Sequence, residues 1–172
     1  MSKLNIIRAA VISAFFMLAV PASASDIETD NPFMDLLTLG GEQADVNEHF
    51  KNGKWTLVMV WATDCHVCQE QKPMISSAYD ERKDDDFSVF GIAIDGRGGL
   101  GKVKNYLDVH KPSFPNYVGD LTIVAANYQL LTEESFRGTP TYLLFNPKNE
   151  LMAAQAGMIG KEALFEFMDS NS

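Results

Sequence analysis

Cys65 and Cys68, the only cysteines of the 172-residue chain, are separated by His66 and Val67. Two thiols at that spacing can exchange electrons with another dithiol, grip a metal ion, or close a small static loop. Electron exchange asks for one ionised, reachable sulfur and a second sulfur near enough to displace whatever the first has captured. The N-terminus of a helix meets both demands. Its unpaired N–H groups and positive dipole end favour a thiolate at Cys65, and Cys68 then stands almost one turn further on. Each rival lacks something. Haem attachment needs a histidine directly after the second cysteine, where Gln69 stands. Structural zinc needs four ligands, and only His49, His66 and His110 supplement the pair. A static disulfide across so short a loop removes little chain entropy. Copper(I) held by Cys65, Cys68 and a histidine, with His110 as the candidate, is the alternative from another functional class.

A cysteine at a helix start needs an element before it to fix its position, and the sequence supplies one. Asn52-Gly53 signals a turn, and the unbroken run of β-formers from Trp55 to Trp61 reads as a strand buried on both faces. From Val67 the period changes. Met74 with Ala78 and Ile75 with Tyr79 are spaced for a helix that ends in the charged stretch Asp80 to Asp86, with a kink expected at Pro73. Phe87 to Ile94 reads as a second buried strand, followed by a glycine loop and a helix to about His110. Residues 111–119 contain two prolines and read as loop, and Leu121 to Tyr128 as a short helix. Thr141 to Phe145 and Leu151 to Ala156 read as a hairpin turned at Asn146 to Asn149. A last helix from Lys161 presents Leu164, Phe167 and Met168 on one face. Near the start, a short strand is expected at Leu36 to Leu39 and a weak strand or turn near Val46 to Phe50. The layout is α/β, with a central mixed β-sheet flanked by helices.

Residues 1–24 read as a cleavable signal peptide: Lys3 and Arg8, an apolar run from Ala9 to Val20, then Ala22-Ser23-Ala24. That run is shorter than the roughly 20 residues needed to span a bilayer. Residues 25–33 are polar and acidic and read as a flexible leader to one domain, 34–172. The chain has 14 basic and 23 acidic residues, a formal net charge of −9, and loss of the leader peptide removes only basic ones. This balance argues against nucleic acid as a partner.

Trp61-Ala62-Thr63-Asp64-Cys65-His66-Val67-Cys68, with Pro73, Gly138-Thr139-Pro140, Asn146-Pro147-Lys148-Asn149-Glu150 and Gly157, resembles the thioredoxin superfamily over about residues 34–170. Within it the chain is similar to the exported TlpA/ResA-like thiol-disulfide oxidoreductases. The resemblance implies a thioredoxin-like fold, Cys65 as nucleophile and Cys68 as resolving thiol, and no cofactor. It also implies a cis peptide at Thr139-Pro140 facing the cysteines, and a docking surface formed by Trp61, Thr139 and Pro140. Partners would be protein thiols or disulfides in the cell envelope of a Gram-negative-type bacterium, reduced in the periplasm with electrons from a membrane-embedded donor. A thiol oxidant of the same fold is the alternative.

The chain departs from the family at several positions. Asp64 stands where relatives often carry Trp, Val67 where they often carry Pro, and Gln71 where Glu is frequent. Met59 occupies the place of thioredoxin's buried Asp. With neither familiar carboxylate to take a proton from Cys68, Glu70 or water is left for that task. A protonated His66 beside Cys65 would stabilise the thiolate and make the disulfide more oxidising, whereas Asp64 works the other way. A potential between those of thioredoxin and a DsbA-like oxidant, about 150 mV apart, is expected. Gly96-Arg97-Gly98-Gly99-Leu100-Gly101 matches G-x-G-x-x-G. A dinucleotide site is set aside because the segment after the next helix reads as loop and the chain is exported; no nucleotide cofactor is expected.

Overall fold

The computed structural model describes residues 33–172. The expected signal peptide and all of the expected leader except Phe33 lie outside the described residues. Five strands form one sheet in the order β3-β2-β1-β4-β5. They are β1 Trp55–Trp61, β2 Phe87–Ala93, β3 Asn116–Val118, β4 Thr141–Phe145 and β5 Leu151–Ala156. β1, β2 and β3 run parallel, and β4 is antiparallel to β1 and to β5. Four helices, α1 His66–Arg82, α2 Leu100–His110, α3 Leu121–Thr132 and α4 Lys161–Ser170, complete an α/β thioredoxin-like fold.

Every residue of central β1 is buried. Successive side chains of a strand point to opposite faces, and both faces are covered. Trp55, Leu57, Met59 and Trp61 join a core with Ile75 and Ala78 of α1, Leu107 of α2, and Leu164 and Met168 of α4. Val58 and Val60 join a second core with Phe90, Phe50, and Val124 and Tyr128 of α3. Complete burial explains the continuous apolar run. At roughly 1.5–3 kcal/mol per buried aliphatic or aromatic side chain, these two cores fix β1, and with it the point where the chain leaves the sheet toward Cys65.

Several local expectations are corrected. Leu37 makes only single bridges, to Gln43 and Val118, so no strand forms over 36–39. Near Val46, where a strand or a turn is expected, the chain takes the turn, a three-residue 3₁₀ segment Asn47–His49 that ends at Phe50. Residues 111–119 are not all loop, because Asn116–Val118 pairs in parallel with Gly91, Ile92 and Ala93. Pro112 and Pro115 stop short of that strand, whose three residues are too few to show a period. α3 continues past Tyr128 to Thr132 and ends where Glu133 takes φ 61°. As expected, α1 contains Pro73 and runs to Arg82. Leu164 and Met168 are buried, whereas Phe167 is 36 % exposed at the edge of their face. Phe33 is no leader residue: it is buried, with its ring edge-on to Phe90 and Phe145.

Candidate active site

β1 ends at Trp61, and Ala62 to Asp64 carry the chain to Cys65, the N-cap of α1. Cys65 and Cys68 are joined by a disulfide with their Cα atoms 5.3 Å apart. The Cys68 N–H donates to Cys65 Sγ at 3.1 Å. The sulfur thus does what a Ser or Asp oxygen does at other helix starts, satisfying an orphan donor of the first turn. A thiolate at the same place accepts that bond with full charge and lies at the positive end of the helix, whose first turn has no acidic residue. The two sulfurs are unequally placed. Cys65 is half-buried and Cys68 completely buried, so a partner reaches the first sulfur and not the second.

The expected tuning residues all lie on the solvent side of the motif. Asp64, His66, Val67 and Glu70 are exposed, and Val67 is an apolar spot two residues from Cys65. His66 Nε2 lies 3.2 Å from Glu70 Oε1, one turn on. The Glu70 carboxylate thus faces His66 on the solvent side, whereas Cys68 is buried. Trp61, expected in the docking surface, is completely buried and offers no surface to a partner. It lies at the end of the doubly covered strand, and its indole N–H donates to Asn116 Oδ1 at 2.9 Å. Thr139-Pro140 is a cis peptide, with Pro140 buried and Thr139 half-buried. Its strand is held by Gly157 N–H, which donates to the Pro140 carbonyl at 2.8 Å. Gln71 is buried, and its Oε1 accepts from Tyr142 Oη at 3.1 Å and from Ile159 N–H at 2.9 Å, tying α1 to the segment before α4. Burial pushes the Tyr142 phenol above its ordinary range.

Two charged residues near the motif were missed in the sequence. Lys72 is 3 % exposed, and its Nζ stands 3.3 Å from the centroid of the Trp61 ring and 4.6 Å from that of Tyr106. Burial pulls its amine down to about 7, against the attraction of Asp95. Cys68, Lys72 and Ile75 are spaced i, i+4, i+7, so a lysine on the buried stripe of α1 was legible as an anomaly. Asp95 follows β2, and its carboxylate accepts the Thr63 N–H at 3.1 Å and the Thr63 hydroxyl, pinning the turn before Cys65. Lys102 Nζ lies 3.6 Å from the same carboxylate. No local signal announces Asp95, because only the pairing of Trp61 with Ala93 brings it there.

The glycine loop takes a different sense from its motif. Since β3 does follow α2 as a parallel strand, the loop reading of 111–119 no longer counts against a dinucleotide. Asp95 does: a Cβ on Gly99 would lie 2.7 Å from the Asp95 Cβ, so the loop closes over a carboxylate, which repels phosphate. Among the described residues, no group of three or more His, Cys, Asp and Glu is placed to hold a metal ion.

A cysteine pair at the strand-to-helix junction of this sheet defines a thioredoxin-like thiol-disulfide oxidoreductase. Residues 26–154 match the AhpC/TSA family, and the chain belongs to it. It is similar to thiol-disulfide oxidoreductase ResA of Halalkalibacterium halodurans, 24% identical over 131 residues that cover 76% of this chain and 69% of the relative. It is also similar to sporulation thiol-disulfide oxidoreductase A of Bacillus subtilis, 22% identical over 133 residues, 77% of this chain and 75% of that one. Among solved structures, a thiol:disulfide interchange protein of the thioredoxin family from Chlorobium tepidum shares the fold with a TM-score of 0.65 at 19% identity, covering 78% of this chain and 89% of that chain.

Proposed function

We propose that the protein is an exported enzyme that reduces disulfides of protein partners in the periplasm, recharged by a membrane-embedded electron donor. The observation that carries the chemistry is the inequality of the two sulfurs. Cys65 is accessible at the helix start, while Cys68 is buried and bonded to it across one turn. Cys65 attacks a partner disulfide, Cys68 attacks the mixed disulfide that results, and the partner leaves reduced. Thr139, beside the cis peptide and half-buried, offers backbone to an extended partner strand, with Val67 as an apolar contact. Export rests on the apolar run and small-residue site of 1–24, and the reductive direction on the TlpA/ResA-like resemblance. Among the described residues, no helix is long and apolar enough to cross a membrane.

Cys68→Ser tests the reading. Partners are expected to accumulate as mixed disulfides on Cys65 in the periplasmic fraction, identifiable by mass spectrometry and absent from the Cys65→Ser, Cys68→Ser double variant. An empty trap in cells that express the protein well overturns it. Equilibration with glutathione decides the direction: a potential near that of a DsbA-like oxidant reverses it.

A further inference from the structure

Resolution of the mixed disulfide needs Cys68 as a thiolate, yet Cys68 is completely buried, and burial disfavours the charged sulfur. Some group must take its proton. Met59 stands in the strand where a carboxylate would do so elsewhere, Glu70 faces solvent with His66, and the Gln71 amide has no basic site. Lys72 is the remaining basic group on the buried face of α1. It follows Cys68 by four residues, so both stand on one face of the helix, and long helical side chains lean back toward the N-terminus. Its amine accordingly lies over the ring of Trp61, the residue at which β1 hands the chain to the motif. Cys68 and Trp61 belong to the same core. The Lys72 Nζ and the hydroxyl of Tyr106, whose ring on α2 is 4.6 Å from that amine, are both buried without a hydrogen-bond partner. An amine left so is costly, the faces of two rings and the Asp95 charge being all that offset its burial, and an apolar side chain would fill the space without that cost.

We propose that Lys72 is the proton acceptor for Cys68, reached directly or through one water, in place of the carboxylate that this chain lacks. The inference rests on the thiol-disulfide reading. The neutral Lys72 amine takes the proton of the Cys68 thiol and becomes an ammonium over the Trp61 ring. The Cys68 thiolate attacks Cys65 Sγ, the Cys65–Cys68 bond forms, and the bond from Cys65 to the partner sulfur breaks. The electron pair leaves with that sulfur as a thiolate, so the cysteine pair loses two electrons and the partner gains them. The proton then passes from Lys72 to the departing thiolate or to water. The groups around the amine fit this cycle. Asp95 after β2 is the nearby anion, already held by Thr63 and Lys102; the Tyr106 ring, tilted against His110, closes the side of α2. Cys68 precedes Lys72 by one turn on the same face of α1.

The test uses the full reduced chain and the aromatic disulfide 5,5′-dithiobis(2-nitrobenzoate) in stopped flow. Attack by Cys65 releases the first coloured thiolate in a bimolecular phase; attack by Cys68 releases the second in a first-order phase. That leaving thiolate needs no proton, so the second phase reports deprotonation and attack by Cys68 alone. In the native protein its rate is expected to rise with pH through an inflection near neutrality. In Lys72→Met it is expected to fall at least tenfold at pH 7, with the inflection moved above pH 8, while the first phase is retained. Unchanged rate and profile in Lys72→Met overturns the proposal. So does an inflection at or above pH 8.5 in the native protein, a measurement that needs no variant. If the native protein releases no second equivalent at any pH, Cys68 does not resolve and the oxidoreductase reading itself falls.

Discussion

The indole N–H of Trp61 donates to Asn116 Oδ1 across the α-carbon of Gly91, joining the end of β1 to β3 over the strand between them. Gly91 has to be a glycine there. A Cβ on it would lie 2.1 Å from Asn116 Oδ1 and 2.9 Å from Trp61 Nε1. Gly91→Ala is therefore expected to break that bond and lower stability by about 1–3 kcal/mol, as overpacking of a tight core does. For a chain of this size that is a loss of roughly 2–10 °C in Tm, read by thermal denaturation. A Tm within 1 °C of the parent would show that the contact yields freely.

Asp95 fixes the other side of the motif. Its carboxylate accepts two bonds from Thr63 and faces Lys102, so Asp95→Asn turns one acceptor into a donor pointed at groups that donate. Expected is a loss of about 1–3 kcal/mol, with a matching drop in the urea midpoint. Faster proteolysis at Ala62 to Asp64 is expected alongside. Unaltered stability would mean that the turn before Cys65 is held by Cys65 and α1 alone.

How much of this was legible depended on whether the signal was local. The run Trp55 to Trp61 announced a doubly covered strand because every residue of it is buried, and Cys65-x-x-Cys68 announced the chemistry. β3 did not show, since three residues beside two prolines carry no period. Asp95, Asn116 and Tyr106 did not show either, because each reaches the motif only through the sheet register or the packing of α2. Lys72 was visible as a lysine on an apolar stripe. What the sequence withheld was that its amine folds inward over Trp61 instead of extending to solvent, as lysines on such faces ordinarily do.

His66 and Glu70 make an exposed i,i+4 pair one residue beyond Cys65. An imidazolium there favours the thiolate, and Glu70 holds part of that charge to itself. His66→Ala is expected to make the disulfide less oxidising by up to about 30 mV, a tenfold change in the equilibrium with glutathione. Glu70→Gln is expected to move it the opposite way by less, because an exposed pair is weak. Equal potentials for all three proteins would assign both residues to the solvated surface.

His49 adds a pH dependence unrelated to catalysis. It is buried against the Phe90 ring, with Nε2 2.9 Å from Tyr117 Oη and Nδ1 3.4 Å from Ser88 Oγ. Burial holds its imidazole below the ordinary 6.5, against the opposing pull of Glu48. Below pH 6.5 the unfolded chain therefore binds a proton that the folded chain refuses. The stability His49 contributes is present above 6.5 and lost as pH falls toward its folded value. The urea midpoint is expected to decline between pH 7 and pH 5, and His49→Gln to flatten that part of the profile. A parallel decline in both proteins would place the cause elsewhere.

Lys72 gives the same kind of linkage over a wider window, with a consequence that separates its cost from its use. Burial sets its folded value at about 7 against 10.5. Below pH 7 both states are protonated, and the folded one carries the full penalty of a buried ammonium. Between 7 and 10.5 only the unfolded chain holds the proton, so stability rises with pH until the penalty is gone. Lys72→Met removes it. The variant is expected to be more stable than the parent at pH 6, by an upper limit of roughly 4–5 kcal/mol less the lost contact with the Trp61 ring. The gap is expected to narrow steadily toward pH 10, as read from urea midpoints across that range. A chain that gains stability and loses resolution speed from one substitution keeps its lysine for chemistry. If Lys72→Met is less stable at pH 6, the ammonium is being held by the fold, and the amine is not free to take a proton.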